Sequence, residues 1–129
     1  MKKQINVVGA VIAENGKILC AQRGATRSLA YLWEFPGGKI ECGETPQEAL
    51  KREISEEMDC LVQIGDQVET TVYEYDFGIV SLTTFECTLI SGSPVLTEHV
   101  EIRWLDPDKL LSLDWAPADL PAVHKIMNK

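Results

Sequence analysis

The chain has 129 residues, enough for one hydrophobic core and too few for a second. With 45% hydrophobic and 25% charged residues it has the balance of a soluble globular domain, and no apolar run approaches the roughly 18 residues of a membrane span. Twelve Lys and Arg against twenty Asp and Glu give a net charge of −8, which argues against the broad basic surface that nucleic-acid polymers require. A small phosphate-bearing ligand stays compatible with that charge if a cation accompanies it.

The opening, MKKQINVVGAVIAENGKILC, has the basic start and apolar stretch of a secretion signal. Glu14, Asn15, Gly16 and Lys17 interrupt it before any cleavage site, so a strand and a turn are expected instead. Residues 5–13 are rich in β-branched side chains, 14–16 form a turn and 17–22 a return strand, since Asn-Gly between two such runs signals a hairpin. Residues 23–35 read as a loop leading into Pro36-Gly37-Gly38. Thr45 and Glu48 have the spacing of a capping box and Pro46 falls at the first helical position, which predicts a helix over 46–58. Strands follow at 68–77 and 79–90, separated near Gly78, then a polar loop at 91–97 and a strand at 100–105. Asp106-Pro107 starts a short helix, and 117–127 holds a C-terminal one. Interleaved strands and helices predict a single α/β domain over 1–129, a mixed sheet sandwiched between helices. The four cysteines are scattered without a C-x-x-C pair, so reduced thiols and a cytoplasmic location are expected, with no zinc site.

The predicted helix carries an unusual charge pattern. At about 100° per residue, Leu50, Ile54 and Met58 share the core-facing stripe, and Glu53, Glu56 and Glu57 fall on the neighbouring one. Carboxylates at i, i+3 and i+4 repel one another, and the C-terminal end of a helix disfavours negative charge. The stripe alone fits a solvated acidic face. Its less common alternative is a site for a hard divalent cation, which takes oxygen ligands and can bridge carboxylates to substrate phosphates.

The wider segment bears on that choice. From Gly38, five residues lead to Glu44, seven more to Arg52-Glu53-Ile54, and then Ser55, Glu56-Glu57, Met58, Asp59 and Cys60. This resembles the Nudix box, G-x5-E-x7-R-E-U-x-E-E-x-G-U with U aliphatic, over residues 38–60. Two positions depart: Asp59 replaces the second glycine and Cys60 the last aliphatic residue. Asp tolerates a left-handed conformation better than most residues, so that departure touches loop geometry more than metal binding. Ala21–Arg23 as AQR, residues 33–41 as WEFPGGKIE and residues 116–121 as APADLP are similar to the MutT-like subgroup, which includes 8-oxo-dGTP and CTP pyrophosphohydrolases.

The resemblance implies a hydrolase that cleaves nucleoside triphosphates to the monophosphate and pyrophosphate, using Mg²⁺ with Mn²⁺ as a substitute. It implies metal ligation by the Gly37 carbonyl, Glu53, Glu56, Glu57 and Glu98. Arg52 would orient the glutamates through charge-assisted hydrogen bonds and Glu44 would support the loop. Glu53 and Glu98 are alternative acceptors for the attacking water's proton. Arg23, Glu34, Phe35, Lys39 and Asp119 are the candidate substrate contacts, with Trp33 and Leu82 as further pocket walls. His99 reads as structural or surface, Trp104 and Trp115 as packing, and His124 as exposed. No protein partner is evident.

Asp119 bears most on the base. The corresponding place carries Asn in the 8-oxo-dGTP enzymes and Asp in the CTP-type enzymes. An ionised carboxylate only accepts, which suits the cytosine amino group, yet it can also accept from guanine N–H groups, and a buried Asp that keeps its proton also donates. The chemistry permits both bases and the resemblance tips the choice toward cytosine, with a plain helix-start role for Asp119 as the alternative. A catalytically silent nucleotide-binding module would be expected to lose box carboxylates, and here Glu53, Glu56 and Glu57 all stand with Arg52.

Overall fold

Asn15 and Gly16 both adopt positive φ (55° and 78°), the geometry that lets two residues join strands of matching twist. They link β1 (Gln4–Glu14) to β2 (Lys17–Arg23) in the computed structural model, which describes residues 2–95 and 99–128. The two strands pair only at their hairpin end, Ala13 with Ile18 and Glu14 with Lys17, and then part. Beyond that point β1 pairs with β4 (Gly37–Lys39), whereas β2 pairs with β3 (Trp33–Glu34) and with β7 (His99–Leu105).

On its other side β1 runs parallel to β6 (Gly78–Ser91) for ten residue pairs, from Gln4↔Ile79 to Ala13↔Thr88. A second hairpin joins β6 to the long edge strand β5 (Leu61–Tyr75), giving a seven-stranded mixed sheet. β5 begins seven residues before the predicted start at Val68. Register shifts between Ile64 and Glu69 absorb Gly65 and Asp66, which break the alternation the sequence reading relies on. The loop expected over 23–35 likewise ends in β3, and the Gly-Gly turn is itself a strand.

Alternation along β1 assigns the two faces. Val8, Ala10 and Ile12 pack with Ala49, Leu50, Ile54 and Met58 of α1 (Pro46–Met58). Val11 turns to the opposite face, toward Val123 and Ile126 of α2 (Leu120–Met127). The sheet is therefore sandwiched between helices, as its sequence pattern predicts. The segment expected to form one C-terminal helix divides into a 3₁₀ turn, Pro117–Asp119, followed by α2, and a second 3₁₀ turn spans Pro107–Ser112.

α1 takes its predicted bounds because both ends are locally encoded. Thr45 Oγ1 accepts from the Glu48 N–H at 3.1 Å, and Glu48 Oε1 accepts from the Thr45 N–H at 2.8 Å. At the other end Asp59 adopts the left-handed conformation (φ 50°, ψ 43°) and donates its N–H to the Ser55 carbonyl. All four cysteines are free thiols, and burial, opposed by Arg103 at Cys20, pushes Cys20 up to about 12; burial pushes Cys87 up to about 12, so both behave as core residues. Among the described residues no helix is long and apolar enough to cross a membrane.

Candidate active site

The parting of β1 from β2 leaves a cleft of about 270 Å³, walled at one end by Gly37, Gly38 and Lys39 and at the other by Phe35, Tyr75 and Asp119. The two glycines of β4 are required for different reasons. A Cβ on Gly37 would lie 1.9 Å from the Val8 carbonyl of β1, so any side chain there would break the pairing. A Cβ on Gly38 would lie 2.3 Å from the Glu53 carboxyl carbon, so the missing side chain is the space that carboxylate fills.

The acidic stripe of α1 is not a uniformly solvated face. Glu57 is 9% exposed and the Glu53 side chain 16%, whereas Glu56 is 60% exposed. Arg52 organises this end. Its Nε and Nη2 donate to the two oxygens of Glu44 at 2.7 and 2.9 Å, a fork-on-fork pair, and Nη2 also donates to the Lys39 carbonyl at 3.0 Å. Nη1 lies 3.4 Å from both Glu53 and Glu56. The hydrogen bond from Arg52 and one from the Glu41 N–H hold Glu44 below the usual carboxylate range. Among the described residues no three His, Cys, Asp or Glu side chains stand gathered as a ready-made metal cluster.

In the same lining, charge is buried around Glu34. Glu34 Oε1 accepts from Arg23 Nη1 at 2.6 Å, while Oε2 accepts from His99 Nε2 at 2.9 Å and faces Arg27 Nη1 at 3.4 Å. Burial alone would raise Glu34, but the His99 hydrogen bond and the two arginine charges outweigh it and hold the carboxylate below its ordinary value. Asp119 is 6% exposed, and its Oδ2 accepts the Phe35 N–H at 3.0 Å. Burial, reinforced by the neighbouring Glu34 charge, pushes Asp119 well above the ordinary carboxylate range despite the Phe35 bond and Arg23. Tyr75 completes the wall: its Oη accepts the Ala118 N–H at 2.8 Å, and its ring stacks on Phe77 at 5.0 Å.

The NUDIX domain family profile matches residues 2–126 of this chain. The chain belongs to the Nudix hydrolase family. It is 38% identical to the CTP pyrophosphohydrolase of Escherichia coli K12 over 125 residues, 97% of this chain and 93% of that protein. It is 33% identical to the 8-oxo-dGTP diphosphatase of Haemophilus influenzae over 129 residues, 99% and 95% of the two chains. The solution structure of the Nudix hydrolase called DNA mismatch repair protein MutT, from methicillin-resistant Staphylococcus aureus 252, superposes with a TM-score of 0.82 at 60% identity, covering 99% of this chain and 98% of that one.

Against that Nudix frame, Gly37, Lys39, Arg23, Glu34, Phe35, Leu82 and Asp119 all line one cleft, and Glu53 sits against its Gly38 wall. Arg52 and Glu44 form the support expected of them. Glu98 lies outside the described residues. Trp33 does not line the cleft: it is buried in the core on the α2 side, with the Arg103 guanidinium 5.1 Å over its ring. Asp119 stands at the start of α2 and makes no side-chain cap bond there; its carboxyl group instead accepts the Phe35 N–H. His99 is structural, with a side chain 1% exposed, and His124 is exposed. Arg27, Ser28 and Tyr75 also line the cleft and were not foreseen. Arg27 and Ser28 sit in a loop without periodicity, and Tyr75 reads as an ordinary strand residue.

Proposed function

We propose that this Nudix hydrolase is a divalent-metal-dependent nucleoside triphosphate pyrophosphohydrolase that acts on CTP, dCTP or 5-substituted cytosine nucleotides. The observation that carries this reading is the single cleft: a buried base-reading group, Asp119, at one end and the Gly38–Glu53 contact at the other. A nucleotide laid along it brings its base to Phe35 and Asp119 and its phosphates to α1.

The residues of the box fit a hard cation. Gly38 leaves room for the Glu53 carboxylate, Arg52 holds Glu53 and Glu56 from one side, and the donor set is all oxygen: the Gly37 carbonyl, Glu53, Glu56 and Glu57, with Glu98 proposed as a further ligand. Bound Mg²⁺, or Mn²⁺ in its place, would neutralise the triphosphate and lower the pKa of a water. Glu53 or Glu98 accepts that water's proton as its oxygen bonds to the β-phosphorus. The bond from that phosphorus to the oxygen bridging the α-phosphate breaks, and monophosphate and pyrophosphate leave. Arg23 and Lys39 supply positive charge in an otherwise acidic surround, and Arg52 and Glu44 keep α1 and β4 in register.

A neutral Asp119 accepts through its carbonyl oxygen and donates through its hydroxyl, which complements the amino group and N3 of cytosine together. The same pair of groups matches a guanine base that presents a donor beside an acceptor. That observation, with relatives named for CTP and for 8-oxo-dGTP, keeps 8-oxo-dGTP hydrolysis as the second reading. The complete set of box carboxylates, Glu53, Glu56 and Glu57 with Arg52, argues against a silent binding module.

Pyrophosphate release with Mg²⁺ across CTP, dCTP, 5-methyl-dCTP, 8-oxo-dGTP and the common nucleotides tests the reading. Cytosine selectivity is the expected result. Preference for 8-oxo-dGTP establishes the second reading, and inactivity on every triphosphate overturns both.

A further inference from the structure

The loop over residues 24–32 carries two arginines' worth of contacts, and they are unequal. Arg23, at the end of β2, spends three donors within the fold: Nε to the Ser28 carbonyl at 2.7 Å, Nη2 to Ser28 Oγ at 3.1 Å and Nη1 to Glu34 at 2.6 Å. Further bonds from the Arg23 N–H to Leu32, the Tyr31 N–H to Arg23 and Gln22 Nε2 to Tyr31 tie the loop down. These bonds hold Leu29 and Tyr31 at positive φ, 55° and 66°, a conformation that L-residues rarely adopt. The loop shape is imposed by its hydrogen bonds, with Arg23 as the central clamp.

Arg27 differs. Among the described residues its guanidinium has one partner, Glu34 Oε2 at 3.4 Å, which leaves most of its five N–H donors to the cleft it lines. Its side chain is 34% exposed against 14% for Arg23. If Arg27 turns from Glu34 to a ligand anion, Glu34 keeps its two shorter partners, Arg23 at 2.6 Å and His99 at 2.9 Å, so no buried carboxylate is stranded. The same turn by Arg23 would break three bonds and release the loop.

We propose that Arg27 is a further substrate-binding residue, leaving Glu34 to pair with the phosphate chain of the bound nucleotide, while Arg23 is the positioning residue that presents it. The inference rests on the nucleotide-binding reading of the same cleft. The ladder of bonds from Arg23 holds the loop that carries Arg27 in place before the ligand arrives, so little ordering cost falls on binding.

The test is metal-free calorimetry of native protein and variants with CMP, 8-oxo-dGMP and their neutral nucleosides. Arg27→Gln is expected to weaken monophosphate binding about tenfold, to flatten its salt dependence and to leave nucleoside affinity unchanged. Arg27→Lys, which keeps the charge but loses the fork, is expected to recover part of the loss. Arg23→Gln is expected to lower the melting temperature, which Arg27→Gln leaves near native. Native-like monophosphate binding by Arg27→Gln overturns the proposal, as does an equal loss of nucleoside and monophosphate. Native protein that binds neither monophosphate overturns the nucleotide reading itself, a pattern distinct from failure of the variant alone.

Discussion

The two ends of the cleft solve the problem of crowded carboxylates in opposite ways. At the α1 end, Glu44, Glu53 and Glu56 stay in partial contact with solvent and share one arginine. Around Asp119, Glu34 and Asp119 are buried near one another, and their surroundings push them apart: against burial, His99 and the arginines hold Glu34 below its ordinary value, while burial and the Glu34 charge push Asp119 above its own. The first arrangement suits a cation that has yet to arrive. The second favours the uncharged form of one carboxyl inside a charged site.

The sharpest way to break the α1 end is Gly38→Ala. Its Cβ must displace the Glu53 carboxylate, and a shift of about 1 Å at a reacting centre costs on the order of a hundredfold. Steady-state turnover should fall by about that much while circular dichroism shows an intact fold. Native turnover would show that Glu53 does not act from this position.

Glu44→Gln removes the fork that Arg52 grips and should lower turnover or metal affinity by about tenfold, the usual effect of losing a supporting partner. Because the Glu44 value is depressed in the fold, its stabilisation is present above the unfolded value near 4.3 and is lost as pH falls through the folded value. The gap in melting temperature between native and Glu44→Gln should therefore close on acidification.

Asp119→Asn should show the reverse dependence. A carboxyl raised in the fold penalises stability once pH exceeds the unfolded value near 3.9, because the unfolded chain ionises first. The Asn variant escapes that penalty, so its melting temperature should gain on native protein as pH rises from about 4 toward neutrality. A gap that stays constant with pH would mean Asp119 is ionised, and the contrast between the two ends would collapse.

The smallest effect belongs to Asp59→Gly at the end of α1. Glycine relieves the left-handed conformation and removes a negative charge from the helix C-terminus, worth about 1 kcal/mol in denaturant unfolding. Turnover should not change.

What the sequence disclosed divides along the same line. α1 was legible to the residue because Thr45, Pro46 and Glu48 act within one turn, and the 23-residue box spans a single stretch of chain. The Asn15-Gly16 hairpin was legible for the same reason. β3 and β4 were not, since two- or three-residue strands have no period to detect and owe their existence to partners elsewhere. Asp119 could be singled out by resemblance, but its upward shift depends on burial and on the Glu34 charge, and its hydrogen bond is to Phe35, 84 residues earlier. The burial of Glu57 beside the exposure of Glu56 also lay beyond a helical wheel, because it depends on what the rest of the fold lays against each face.

The parallel pairing of β1 with β6 also governs how the molecule comes into being. Gln4 pairs with Ile79, so the 74 intervening residues, the whole of α1 and of β5 included, are drawn into one loop when that rung closes. Such non-local closure slows folding relative to the local capping of α1. A chain caught midway would possess its acidic helix and lack its cleft, with Phe35 still unjoined to Asp119. The refolding rate and the recovery of nucleotide binding should then follow one clock, set by the centre of the sheet.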